Sequence, residues 1–227
     1  MTALERTLWL ALVGEAVVFA VLLFCAAGTV QWSGGWWFLA FLFIPGAVVT
    51  VAIVRSNPDL ARERMRPPIM AGQPFWDKVL LPVVGVVWIA WLVVAGLAVR
   101  FGWPALPVWL QWVGAVLMVV GIWVAYLAMR ENKYSAAVVR IQAERGQHVI
   151  DTGPYAVVRH PMYVGGLIFL IGMGLILGSW PAFAGGVLTC AIIVLRTSLE
   201  DRTLQHGLSG YADYAARVRY RLIPSVW

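Results

Sequence analysis

Long apolar runs separated by short polar or turn-forming segments dominate the chain, and they are continuous rather than alternating. They read Leu8 to Ala27, Trp36 to Val54, Val79 to Val99, Val108 to Met129, Tyr163 to Leu177 and Pro181 to Leu195. In lipid a run of this kind is a helix, because a helix satisfies its own backbone hydrogen bonds. The pattern therefore predicts an all-α integral membrane protein with about six transmembrane helices. The last two runs are about 15 residues each, short of the roughly 20 that span a bilayer comfortably. The turn Gly178-Ser179-Trp180-Pro181 separates them, so they are expected to form a short helical hairpin. Residues 1–129 then make an N-terminal set of transmembrane helices, and 130–227 a C-terminal region of hairpin and polar tail. The first run is longer than the apolar core of a secretory signal and contains Glu15, so it is kept as a helix. Glu15 is expected to face the bundle interior, bonded to a neighbouring helix or to a substrate.

Two polar stretches interrupt the pattern. Asn57-Pro58-Asp59 starts a short helix through Leu60 to Met65, with Pro58 in its first turn and Pro67-Pro68 ending it. Its basic face and its apolar Leu60 and Met65 suit the membrane surface, as a topology anchor or as a lid over a lipid entrance. From Arg130 to Arg145, Ala136, Val139 and Ala143 recur at helical spacing, which predicts that the fourth helix continues out of the bilayer.

Composition agrees with the pattern: 61% of residues are hydrophobic and 12% charged, against about 25% charged in soluble domains. The net charge of +6 is a topology signal rather than a nucleic-acid footprint. With the N-terminus inside, all 17 basic residues except Arg100 fall on one side, which places both termini in the cytoplasm. Cys25 and Cys190 both lie in apolar runs without partners at metal-ligand spacing, so neither a disulfide nor a metal site is expected.

The candidate chemistry gathers between His148 and Gly165, H-V-I-D-T-G-P-Y-A-V-V-R-H-P-M-Y-V-G, just before an apolar run. Two histidines, two tyrosines, an arginine and turn-fixing Gly153-Pro154 and Pro161 stand where water meets lipid. The hairpin would bring Arg159-His160 beside Arg196 and Glu200. Arg196 and Glu200 are four apart and share a helix face, where they form either an ion pair or a site. An arginine there is suited to a carboxylate or phosphate, and the glutamate to an ammonium or ribose hydroxyl. Tyr155 and Tyr163 read as interfacial aromatics or as site residues.

Gln142, the segment His148 to Tyr155, R-H-P-M-Y-V-G at Arg159 to Gly165, R-T-S-L-E at Arg196 to Glu200 and G-Y-A-D-Y-A-A-R-V at Gly210 to Val218 together resemble the isoprenylcysteine carboxyl methyltransferase family of membrane enzymes. The likeness covers roughly residues 130–224. It implies a cytoplasmic C-terminal pocket for S-adenosyl-L-methionine, lined by Gln142, His148, Val149, Ile150, Tyr155, His160, Pro161, Met162, Tyr163 and Glu200. Arg196 would hold the acceptor carboxylate, with Arg196 and Glu200 as the catalytic pair. The acceptor implied is a lipophilic small molecule or lipidated peptide drawn from membrane lipid, with no metal and no nucleic acid. Two departures stand out: the interval from His148 to Tyr155 is one residue short of the eukaryotic pattern, and Asp201 occupies a position often filled by a second glutamate. Rival readings are a phospholipid N-methyltransferase, a nicotinamide-dependent membrane reductase and a non-catalytic lipid-binding module.

Overall fold

Four glycines set how closely the two central helices approach. In the computed structural model, which describes residues 2–227, α5 (Val108–Glu131) and α6 (Pro161–Ile176) run antiparallel, with Gly114 facing Gly172 and Gly121 facing Gly165. A Cβ at Gly121 would sit 2.5 Å from the backbone nitrogen of Phe169, and one at Gly165 would sit 2.5 Å from that of Ala125. Only glycine lets the backbones meet this way, the usual basis of close helix contact in lipid.

Around this seam lie α1 (Ala3–Ala27), α2 (Ser33–Ser56), α4 (Phe75–Arg100) and α7 (Trp180–Gly207). Leu23, Phe38, Trp91, Leu92, Met118 and Met173 form the core between them. Five helices are long and apolar enough to cross a membrane: Leu4–Ala27, Ser33–Ser56, Phe75–Arg100, Val108–Glu131 and Trp180–Gly207. α6 is apolar but shorter. The outward faces carry exposed Val, Ile and Trp, as surfaces solvated by lipid do.

α7 differs from expectation. Its apolar stretch ends at Leu195 as predicted, but the helix continues to Gly207. No breaker follows Leu195, and the hydroxyls of Thr197 and Thr203 bond back to the carbonyls of Ile193 and Leu199. Hydropathy marks where the apolar environment stops, not where the helix stops. The turn before α7 is where the sequence puts it: Gly178 adopts φ +77 and the Ser179 hydroxyl accepts from the Ala182 N–H at 3.2 Å. At this end Leu106 N–H bonds to the Gly178 carbonyl at 2.8 Å, and Arg100 lies beside Gly28.

The opposite end carries a polar cap. α3 (Pro58–Arg64) forms where the sequence predicts it, with the Asn57 side chain accepting from the Leu60 N–H at 3.0 Å. The expected extension of the fourth helix is not formed. The chain leaves α5 at Asn132, whose side chain accepts from the Tyr134 N–H at 2.9 Å while Ser135 donates to the Asn132 carbonyl at 2.8 Å. These local bonds offer the backbone an alternative to the helix. The segment to His160 is irregular apart from single 3₁₀ turns at Ala143–Arg145 and Gly153–Ala156. A last helix, α8 (Tyr211–Arg217), packs Tyr211 and Tyr214 against Leu208.

Glu15 does not face a closed interior. It is exposed on the wall of a groove shared with Phe19, Trp88 and Phe169, because a side chain at Gly46 or Gly85 would meet nothing within 4 Å and no other group fills that space.

Candidate functional site

Asp201 shapes the site, although it lies on α7 behind it. Its carboxylate is wholly buried and accepts from Arg159 Nε at 2.8 Å and from a terminal guanidinium nitrogen of the same residue at 3.0 Å. Arg221 at 2.9 Å, Gln205 at 2.8 Å and the Tyr211 hydroxyl at 3.1 Å complete its shell, with His160 Nε2 at 3.2 Å. Arg159 also donates to the carbonyls of Val218 and Arg219, both at 2.8 Å. The backbone N–H groups of Arg159 and His160 donate to the carbonyls of Tyr220 and Arg221. The R-H-P turn is therefore stitched to the C-terminal tail, and α6 starts from a fixed point. Burial opposes the charge on Arg159, but the bonds and field of Asp201 outweigh it and hold its pKa above the ordinary value.

Asp77 of α4 is the second hub. It too is wholly buried, and it accepts from Gln73 at 2.7 Å, from the Val139 N–H at 2.9 Å and from Arg196 Nε at 3.0 Å. Arg196 donates further to the Tyr163 hydroxyl at 2.6 Å and to the Ala137 carbonyl at 2.9 Å. Tyr163 in turn donates to Glu200. Arg196 and Glu200 thus form neither a direct ion pair nor an open pair on one face: a tyrosine stands between them. Three of the five N–H donors of Arg196 are engaged, leaving two.

Between these hubs lies a narrow cleft of about 80 Å³ that opens to the outside. Gln142, His148, Val149, Ile150, Tyr155, His160, Met162, Tyr163 and Glu200 all line it. Pro161 does not; it is buried as the first residue of α6. Arg196 does not line it either and sits behind Tyr163. Some lining side chains are already occupied. Gln142 is buried, with its amide donating to the Tyr134 carbonyl at 2.7 Å and its oxygen accepting from Arg145. His160 is buried with Nε2 on Asp201, whereas His148 is exposed and uses Nδ1, toward the Tyr134 hydroxyl at 3.0 Å and the Gly146 carbonyl at 3.2 Å. Glu200 is half-buried and keeps acceptor capacity beyond its bond from Tyr163. Burial pushes the Tyr155 phenol above its usual pKa, so it stays neutral; Tyr214 donates to its backbone carbonyl at 2.7 Å.

Tyr134, Tyr211, Tyr214, Leu204 and Leu208 also line the cleft. Tyr211 and Tyr214 stand inside a motif legible in the sequence. Tyr134 and Asp77 carry no local signal, since each enters through contacts with residues far away in the chain. Among the described residues, no group of three or more His, Cys, Asp or Glu side chains is placed to hold a metal ion.

Residues 109–209 match the family model described as phospholipid methyltransferase. Two curated relatives are similar over 109 residues. The cobalt-zinc-cadmium resistance protein CzcN of Cupriavidus metallidurans is 31% identical, over 47% of this chain and 49% of that protein. The nickel-cobalt-cadmium resistance protein NccN of Alcaligenes xylosoxydans xylosoxydans is 29% identical, over the same shares. The chain thus spans about half the length of the curated relatives it matches.

Proposed function

We propose that the cleft binds S-adenosyl-L-methionine and that the protein transfers its methyl group to the carboxylate of a membrane amphiphile of isoprenylcysteine type. The observation that carries this reading is the convergence of Gln142, the His148 to Ile150 strip, Tyr155, the His160 to Tyr163 turn and Glu200 on one cleft at the polar end of an apolar bundle. The match of residues 109–209 to a methyltransferase family supports it.

The lining fits this cofactor chemically. Val149, Ile150, Leu204 and Leu208 offer apolar surface for a purine, and Glu200 offers a carboxylate for an ammonium or a ribose diol. When bound, S-adenosyl-L-methionine supplies an electrophilic methyl carbon on a sulfonium.

The residues then have to align two reactants and exclude water. A carboxylate acceptor is ionised at neutral pH, so no general base is required. Tyr163, held between Arg196 and Glu200, fixes the boundary between the cofactor cleft and the membrane side. Arg196 is anchored by Asp77 from behind Tyr163 and, in this reading, is the positioned cation for the acceptor anion. Asp201 keeps the R-H-P turn in place. The basic end, on the positive-inside rule, faces the cytoplasm, and the acceptor tail enters laterally from lipid.

A second reading, N-methylation of a phospholipid amine, is favoured by the description of the matching family. Here Glu200 would take the amine proton. One experiment separates the two. Purified protein is incubated with methyl-labelled S-adenosyl-L-methionine and a membrane extract, and the lipid fraction is treated with base. Volatile label is the result expected for a methyl ester; label that stays non-volatile overturns carboxyl methylation in favour of the amine.

A further inference from the structure

Arg64, the last residue of α3, has no task in the reading above. It donates to the Ser135 carbonyl at 2.9 Å and rests against the Met162 sulfur at 3.9 Å, so it stands directly outside the cofactor cleft. Several arginines of the cap have carboxylates, among them Arg140 with Glu63, Arg159 and Arg221 with Asp201, and Arg196 with Asp77, whereas Arg145 bonds only to Gln142 and the Lys133 carbonyl. Among the described residues none lies within ion-pair distance of Arg64. Its side chain is exposed, yet crowded enough by surrounding atoms to lower its pKa from that of an ordinary arginine; Tyr163 opposes that shift and the nearby charge of Arg196 adds to it. An exposed guanidinium with no protein carboxylate beside it is open to an anion from elsewhere.

What Arg64 faces is a groove. Its side chain is exposed where it closes the end of a hollow of about 320 Å³ between α2, α5 and α6. The walls are apolar, and along α2 from Ile53 to Leu42 they extend about 16 Å at the helical rise. Past Gly46 and Phe169 the groove continues into the hollow beside Glu15.

The glycines on its walls divide into two kinds. Gly121 and Gly165 are required by helix contact, but a Cβ at Gly46 or Gly166 would meet nothing within 4 Å. These two leave the groove open without serving any packing.

We propose that Arg64 receives the carboxylate of a membrane amphiphile whose apolar tail lies in the groove between α2, α5 and α6, delivering the headgroup past Met162 to the cofactor cleft. This rests on the methyl-transfer reading for the identity of the anion as a carboxylate. The guanidinium fork matches the two oxygens of that group, and the groove supplies an uncharged bed for the tail. Arg64 is the docking cation and Arg196 the positioning one, on opposite sides of the Met162-Tyr163 step.

The test uses the full chain in phosphatidylcholine nanodiscs with a photoreactive long-chain fatty acid, and with the alcohol and the alkyl phosphate of the same chain. Labelled peptides are mapped by mass spectrometry, and S-adenosyl-L-methionine affinity is measured separately by titration calorimetry. The expected result is saturable labelling of α2 and α6 by the acid in preference to the alcohol and the phosphate. Arg64→Gln should reduce acid labelling about tenfold, as loss of a charged hydrogen-bond partner does, and leave alcohol labelling as it was. Gly166→Leu should block labelling by acid and alcohol alike. Cofactor affinity should be unchanged in both variants. Acid labelling indifferent to Arg64→Gln, or labelling outside the groove, overturns the proposal, and so does preference for the alkyl phosphate. Arg64-dependent capture of the acid by a protein without affinity for S-adenosyl-L-methionine would uphold the anion site and contradict the methyl-transfer reading alone.

Discussion

The α5–α6 seam and the polar cap above it are held together by opposite means. In the seam, backbone lies on backbone, and the residues that make contact possible are the ones without side chains: Gly114, Gly121, Gly165 and Gly172. In the cap, the backbone from Asn132 to His160 is mostly irregular and takes its shape from buried carboxylates that gather donors from distant parts of the chain. Asp77 joins α4, Val139 and α7; Asp201 joins α7, the R-H-P turn and the tail; Glu63 joins α3 to Arg140 at 2.7 Å. Lipid offers no hydrophobic drive between helices, so volume decides the seam. A buried carboxylate is tolerated only when its partners are complete, so charge decides the cap. The seam should therefore break on an added methyl group and the cap on a removed charge.

The largest effect should come from Asp201→Ala. It strands Arg159 and Arg221 and is expected to cost about 3–5 kcal/mol, the range for removing one partner of a buried ion pair. Thermal unfolding in detergent checks this, and Asp201→Asn, which keeps a hydrogen-bonding side chain, should lose less. Next, Arg196→Lys keeps the charge but loses the fork that reaches Asp77, Tyr163 and Ala137 together. Methyl transfer should fall about 10²-fold, as for a misplaced reacting group, with cofactor affinity nearly unchanged. A loss confined to cofactor affinity would remove Arg196 from the acceptor side. In the seam, Gly121→Ala should cost about 1–3 kcal/mol by overpacking, whereas Gly46→Ala, in open space, should be close to neutral on the same melt.

The cap should also respond to alkali where the seam does not. Burial raises the phenol pKa of Tyr155, Tyr211 and Tyr214 in the folded protein, and for Tyr211 the charge of Asp201 adds to it. Below about pH 10 these groups are neutral in both states and their contribution is intact. As pH rises further the unfolded chain ionises first, and stability is lost up to the raised folded values. Melting temperature should therefore hold up to about pH 10 and fall progressively above it. Replacing Tyr211 and Tyr214 by phenylalanine should flatten that fall. The smallest effect is Tyr214→Phe alone, which removes the bond to the Tyr155 carbonyl and should cost about 1 kcal/mol.

The apolar runs, the turn at Gly178-Ser179 and the short helix after Asn57 were legible because lipid and capping are local constraints. Nine of the cofactor residues named from motifs of the sequence, from Gln142 to Glu200, also line the cleft. The helix continuing past Glu200 to Gly207 was not legible, because hydropathy reports solvent and not backbone. The irregular path after Asn132 was hidden by apolar positions that happen to recur at helical spacing. Asp201 was visible only as a conservative neighbour of Glu200, and nothing near Asp77 or Arg64 in the chain discloses their partners. Arg196 was read as free for a ligand because its buried counter-ion belongs to a helix over a hundred positions away in the sequence, at 3.0 Å in space.

The central claim is that the cleft between the two carboxylate hubs is a methyl-donor site, and titration calorimetry tests it most directly. Purified wild-type protein and the Glu200→Gln and His148→Ala variants are titrated with S-adenosyl-L-methionine and, separately, with a reduced nicotinamide dinucleotide. Saturable binding of the methyl donor by the wild type, weakened at least about tenfold in Glu200→Gln by loss of a charged hydrogen-bond partner and with the melting temperature unchanged, is the predicted result. Binding of the nicotinamide instead, or methyl-donor binding indifferent to both substitutions, would contradict it.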